Sequence, residues 1–66
     1  MASTRERILD VSLDAFGSRG VDAVSLAEIA RLVGVRKQTV LYWFASKGEL
    51  VEAVLEDVAD AVKTGP

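Results

Sequence analysis

Four consecutive side chains in the middle of the sequence are of types that bind nucleic acid: Arg36, Lys37, Gln38 and Thr39. Arginine and lysine neutralise phosphate groups, whereas glutamine pairs with the edge of adenine and the threonine methyl group contacts thymine. Any exposed helix can carry the same residue types, so residue type alone leaves base contact open. The elements around these residues therefore decide what they can do.

The charges of the chain are separated into two blocks. The 66-residue chain has a formal net charge of −2, but residues 29–48 contain four basic residues and no acidic one. Residues 49–62 contain five acidic residues and no basic one. In an arbitrary chain, two solvated helix faces would explain such blocks. The alternative is a polarised molecule whose basic part meets an anion.

Composition argues against an enzyme. The sequence contains neither cysteine nor histidine, which excludes disulfides, thiolate nucleophiles, histidine bases and most zinc sites. No nucleophile can be paired with a base, and the chain is too short for a substrate cleft, so we predict no catalytic residue and no cofactor. Carboxylates on one outward helical face are usually only solvated, so we predict no metal at Glu52, Glu56, Asp57 and Asp60.

The sequence also predicts a cytoplasmic protein without membrane contact. No stretch approaches the roughly 18 apolar residues that a membrane span needs. The first residues are followed by no apolar run typical of a signal peptide. The absence of cysteine is compatible with the cytosol.

Helical periodicity predicts an all-α fold. Proline occurs only at the last position, and no alternating strand pattern is present. A short helix, a tight turn containing Gly34 and a second short helix form a helix-turn-helix. We predict that residues 1–66 form a three-helix bundle containing this motif, plus a longer fourth connecting helix. The four helices are expected at about 4–19, 26–33, 36–44 and 47–63.

Three of the predicted helices open with a serine followed three residues later by a glutamate. Such a capping box pairs the serine hydroxyl with a backbone N–H, and the glutamate reaches back to the serine N–H. The pairs are Ser3 and Glu6, Ser25 and Glu28, and Ser46 and Glu49. The third helix has no such cap, and its first turn contains Arg36 and Lys37. Free N–H groups and two cations at the positive end of a helix predict a phosphate site.

A set of residues between about Arg5 and Leu55 has types and spacing that together are highly specific for one protein family. Its members are Ile8, Leu9, Ala15, Phe16, Arg19, Gly20, Ile29, Ala30, Gly34, Val35, Phe44, Ser46, Lys47 and Leu50. With them the chain resembles the N-terminal DNA-binding domain of the tetracycline-repressor (TetR) family of transcriptional regulators. The resemblance implies a homodimeric repressor that binds a palindromic operator in double-stranded DNA. It also implies release by a small-molecule effector, bound by a C-terminal domain that this chain lacks and that also forms the dimer.

The resemblance implies roles for residues of the third helix. Lys37, Gln38 and Thr39 fall where the family's recognition helix touches DNA. Tyr42 and Trp43 fall at its far end, where family members commonly touch phosphates. Tyr42 suits a hydroxyl-to-phosphate contact and Trp43 could simply pack, so the choice between the two rings stays open.

Two further DNA contacts are implied outside the third helix. Lys47 matches a lysine that often holds the DNA backbone, and Ser25 opens the helix whose N-terminus usually contacts phosphate. Arg5 and Arg7 could lie along the DNA backbone near the first helix. Departures from the family's usual residues, which would alter operator sequence and contact details more than function, occur at Arg36, Leu41, Trp43 and Ala45.

A small helical protein–protein interaction module without DNA binding is the competing interpretation. It would explain the amphipathic helices and the negative net charge. It would not explain a cationic third helix without a cap in a stretch of sequence free of acids.

The fourth helix carries an apolar arc wider than one packing surface needs. Leu50 and Val54 can be buried in the bundle, whereas Leu55, Val58 and Val62 have nothing within the chain to cover them. We therefore expect the second half of this helix to pack on a domain outside the chain.

Overall fold

The computed structural model describes the backbone of residues 3–64 and the side chains of residues 3–60. Helix α1 spans Thr4–Arg19, α2 spans Leu26–Val33, α3 spans Lys37–Trp43 and α4 spans Lys47–Thr64. A single 3₁₀ turn, which the sequence pattern did not predict, spans Val21–Ala23. Residues 3–64 contain no strand. The all-α fold is confirmed, and α3 is one residue shorter at each end than expected.

The core forms where the apolar faces of all four helices meet. Its fully buried side chains come from α1, the segment before α2, and each later helix: Ile8, Val24, Ile29, Val40 and Leu50. Helix α1 packs on both α2 and α4, while α3 packs chiefly on α2. The hydroxyl of Ser12, which lies on the core face of α1, is also buried and has no partner among the described residues.

The three predicted serine caps are present. The Oγ atoms of Ser3, Ser25 and Ser46 accept hydrogen bonds from the backbone N–H groups three residues on, at 3.2, 3.1 and 3.2 Å. The returning half of the capping box is different, because Glu28 binds Arg19 and Glu49 accepts a bond from the Ala45 N–H at 2.8 Å.

Gly34 ends α2 and makes the tight turn of the helix-turn-helix. Its φ of +89° and ψ of 31° are left-handed, a conformation that glycine adopts without a Cβ clash. The N–H groups of Gly34 and Val35 both donate to the Ala30 carbonyl at 2.9 Å. These bonds satisfy the end of α2 and fix the direction in which the chain enters α3.

Helix α4 is covered by the bundle only in its first half. Leu50 and Val54 are buried against α1, as expected. Leu55 is 62% exposed, and Val58 is exposed as well. The side chain of Val62, which the sequence also predicts to be uncovered, lies outside the described side chains.

Candidate nucleic-acid interface

Helix α3 is held to the bundle by one side only. Val40 is fully buried and Phe44, which ends the helix, is 4% exposed. At 100° per residue, Tyr42 lies directly opposite these two side chains, and Gln38 lies close to the same line. Tyr42 is accordingly 79% exposed, and Gln38 is exposed. The outward line of α3 therefore runs from Gln38 to Tyr42.

The remaining predicted side chains of α3 flank this line. Lys37 is exposed at the first turn, whereas Thr39 is only half-exposed. Trp43, on the same flank as Thr39, is 42% exposed. Its ring meets the Tyr42 ring edge-on, with 5.1 Å between the centroids and an interplanar angle of 88°. Trp43 thus packs on a neighbour while Tyr42 presents its ring to solvent.

The start of α3 has no side-chain cap, as the sequence predicted. Arg36 was expected in the first turn of α3, but it occupies the N-cap position, one residue before the helix begins. The Arg36 carbonyl accepts bonds from the Thr39 and Val40 N–H groups at 2.9 and 3.3 Å. As in any α-helix, the first N–H groups, here those of Lys37 and Gln38, have no partner within the helix.

The two predicted contacts outside α3 lie at other helix starts. Ser25 is exposed at the start of α2, where its hydroxyl is occupied by the Glu28 N–H. A contact from this position would therefore come from the backbone of the first turn or from the second lone pair of the hydroxyl. Lys47 is the first residue of α4 and is half-exposed.

Two arginines of α1 have structural partners that the sequence did not reveal. The Nη2 atom of Arg7 donates to the Val33 carbonyl at 2.8 Å, which ties α1 to the last turn of α2. The guanidinium carbon of Arg5 lies 5.4 Å from the centroid of the Phe44 ring, in cation–π range. The sequence interpretation left open whether these two side chains lie along DNA, and the bond to Val33 gives Arg7 a role inside the fold.

Arg19 provides a second tie that the sequence did not predict. Its Nη2 atom lies 2.6 and 2.5 Å from the two carboxylate oxygens of Glu28 and 3.3 Å from the Ala23 carbonyl. The end of α1, the 3₁₀ turn and the first turn of α2 are thereby joined. Arg31 lies 3.8 Å from the same carboxylate but is largely exposed.

Outside α3, the described residues form a shallow groove but no metal-binding cluster. No group of three or more acidic side chains is placed there to hold a metal ion. A shallow groove between α1 and α4, about 100 Å³ in volume, is lined by Arg5 and by the acidic side chains Glu56, Asp57 and Asp60. None of the described helices is long and apolar enough to cross a membrane.

The sequence that forms α2, the Gly34 turn and α3 matches a known family. A family model described as "Bacterial regulatory proteins, tetR family" matches residues 8–54, which include all three. The chain belongs to the TetR family. The relatives that match it are named as HTH-type transcriptional regulators.

Several curated regulators are similar to the chain over most of its length. The HTH-type transcriptional regulator TtgR of Pseudomonas putida is 40% identical over 55 residues, which are 83% of this chain and 26% of that protein. RutR of Escherichia coli K12 is 38% identical over 60 residues, 91% of this chain and 28% of that protein. AcrR of Shigella flexneri is 40% identical over 53 residues, 80% and 25% of the two chains.

The TetR-family chain spans about a quarter of the length of the curated relatives it matches. No solved structure gives a significant match.

Proposed function

We propose that this chain is the DNA-binding part of a longer cytoplasmic repressor, which binds a palindromic operator as a homodimer and is released by a small-molecule effector. The observation that best supports this proposal is the outward face of α3, which exposes Gln38 and Tyr42. This face lies beside a helix start that is cationic and has no side-chain cap, in a stretch of sequence without acidic residues. A helix exposed along one whole side can enter the DNA major groove.

Each residue has a distinct task in this proposal. Arg36 and Lys37 bind phosphates beside the start of α3, and Gln38 and Thr39 contact base edges. Tyr42, whose ring is the more exposed of the pair, places its hydroxyl on a phosphate, with Trp43 packed against it. Two further phosphate contacts come from helix starts outside α3: Ser25 and Lys47.

The exposed half of α4 supports the proposal of a missing domain. Leu55 and Val58 form an apolar strip beyond the part of α4 that the bundle covers. Exposed apolar strips of this kind mark interfaces. The relatives are about four times as long as the region they share with the chain. We infer that this strip packs on the effector-binding domain and that the domain joins two subunits.

Salt-dependent DNA binding tests the proposal against a protein–protein interaction module. The protein should retard mixed genomic DNA at low salt and less so at moderate salt, because phosphate contacts release counterions. Lys37→Ala and Lys47→Ala should each weaken binding to all sequences and reduce the slope of log affinity against log salt by about one unit. Lys63→Ala removes the same charge at the other end of α4 and serves as the matched control. Absence of any retardation at low salt would favour the interaction module.

Hydrogen exchange tests the inferred interface on α4. In the 66-residue chain, backbone amides after about Ala53 should exchange faster than those of residues 50–53, because their apolar side chains are uncovered. Full protection of residues 55–62 in a chain shown to be monomeric would contradict the missing interface. Faster exchange in the monomer, with protection restored in a longer protein, would support it.

A further inference from the structure

The exposed side of α3 changes character along its length. Its start presents the polar side chains of Arg36, Lys37 and Gln38. Its second half presents Leu41 and the Tyr42–Trp43 pair, of which Leu41 is 36% exposed. Tyrosine and tryptophan carry a polar group that can meet water or phosphate. Leu41 has none, and its partly exposed side chain is the purely apolar part of this face.

Leu41 is not required by the core. The side of α3 that faces the bundle is filled by Val40 and Phe44, and Leu41 lies at the edge of that side. On the helix surface its neighbours are Lys37, four residues earlier, and Gln38, three residues earlier. An apolar side chain at this position leaves part of its surface in water, which costs free energy in the unbound protein. A partner that covers it would recover this free energy.

We propose that Leu41 contacts the 5-methyl group of a thymine in the DNA target and thereby contributes to sequence specificity. The inference rests on the proposed placement of α3 in the major groove. Base edges there present hydrogen-bond donors and acceptors and one exposed apolar group, the thymine methyl. A leucine cannot form hydrogen bonds, so the methyl group is the base feature that it can recognise. Gln38, its neighbour on the helix, is suited to an adenine edge.

Removal of single methyl groups from the DNA tests this contact. The target sequence is first selected from random duplexes by the longer dimeric protein proposed above, and its thymines are then replaced one at a time by deoxyuridine, which pairs normally but lacks the methyl. One replacement should weaken binding roughly fourfold, the size expected for one buried methyl group. Leu41→Ala should bind the thymine duplex more weakly and should no longer distinguish it from that deoxyuridine duplex.

Two further variants keep the test independent of folding. Leu41→Met retains an apolar side chain of similar volume and should still respond to the same replacement. Leu13→Ala is the matched control, because Leu13 is a 44% exposed leucine on α1. It should bind as tightly as the unaltered protein and retain the fourfold response.

The outcomes separate this inference from the function on which it rests. A selected sequence with no thymine whose methyl group affects binding would overturn the role of Leu41 and leave base readout by α3 intact. A response to deoxyuridine that persists in Leu41→Ala would do the same. Selection of no sequence at all would overturn the placement of α3 in the groove, and the role of Leu41 with it. Loss of the response in Leu41→Ala alone supports the contact.

Discussion

The helices α2 and α3 are neighbours in the same motif, yet they begin in opposite ways. At the start of α2, Ser25 binds the Glu28 N–H, and Glu28 places a negative charge in the first turn. At the start of α3, Arg36 occupies the cap position without a side-chain hydrogen bond, and no acid is present in the first turn. A cation at a helix N-terminus is unfavourable by about 0.3–1 kcal/mol. The first arrangement stabilises the folded chain by itself, and the second does not.

This difference separates stability from binding within a single motif. Helix α3 has only seven residues, too few to be stable in isolation. It is held by the burial of Val40 and Phe44 on its inner side. Its start can therefore remain without a cap and stay open for the proposed phosphate contact, whereas the start of α2 is already capped by Ser25. Substitutions at the two helix starts should consequently affect different measurements.

The largest effect is expected for base readout by α3. Gln38→Ala should cost roughly 1–3 kcal/mol of binding free energy on the best DNA site and should relax the preference at one base position. Binding to a panel of single-base variants of the site measures both. Thermal stability should be unchanged, since Gln38 is exposed. Equal weakening on every sequence would show that Gln38 positions the helix and does not read a base.

A smaller effect is expected for the cap of α2. Ser25→Ala should lower the free energy of unfolding by about 1 kcal/mol, because the Glu28 N–H loses its acceptor. Urea denaturation followed by circular dichroism measures this loss. Ser18→Ala is the matched control, since Ser18 is an exposed serine near the end of α1 that provides no N-cap. If both variants are equally stable, the cap at the start of α2 does not stabilise the fold, and the two helix starts do not differ in their contribution to stability.

The smallest change in stability is expected for the start of α3. Arg36→Ser introduces a side chain that can cap the helix, so the free energy of unfolding should stay constant or rise by up to about 0.5 kcal/mol. DNA affinity should fall, because a cation beside the phosphate is lost. Arg36→Ala, which removes the charge without adding a cap, should lose affinity without any gain in stability. Marked destabilisation of Arg36→Ser in a thermal melt would contradict the idea that this start is left open for a ligand.

The features predicted from sequence are those that depend on residues close together in the chain. A serine cap is formed by residues three apart, so Ser3, Ser25 and Ser46 were all recognisable as helix starts. The left-handed turn at Gly34 is a property of one residue type. The fourth helix is similar, because its periodicity separates Leu50 and Val54, which are buried, from Leu55 and Val58, which are exposed.

The features missed by the sequence interpretation depend on residues far apart in the chain. Arg7 and Val33 are 26 residues apart, and nothing in the local pattern pairs them. Glu28 fits a capping box by spacing, but Arg19 comes close in the folded protein and binds its carboxylate. Thr39 and Tyr42 were assigned to DNA from family position and side-chain chemistry, neither of which gives their exposure in the fold. Their different exposures follow from the direction in which α3 leaves the Gly34 turn.

The packing of α1 has a mechanical consequence for the molecule. Helix α4 packs chiefly on α1, α1 packs on α2, and α2 packs on α3. The first turns of α1 also contact the last residue of α2, through Arg7 on Val33, and the residue that ends α3, through Arg5 on Phe44. A rigid displacement of α4 would therefore reach α3 mainly by carrying α1 with it. In that case α1 would transmit the displacement. The contacts that Arg7 and Arg5 make with Val33 and Phe44 would determine how closely the outward face of α3 follows it.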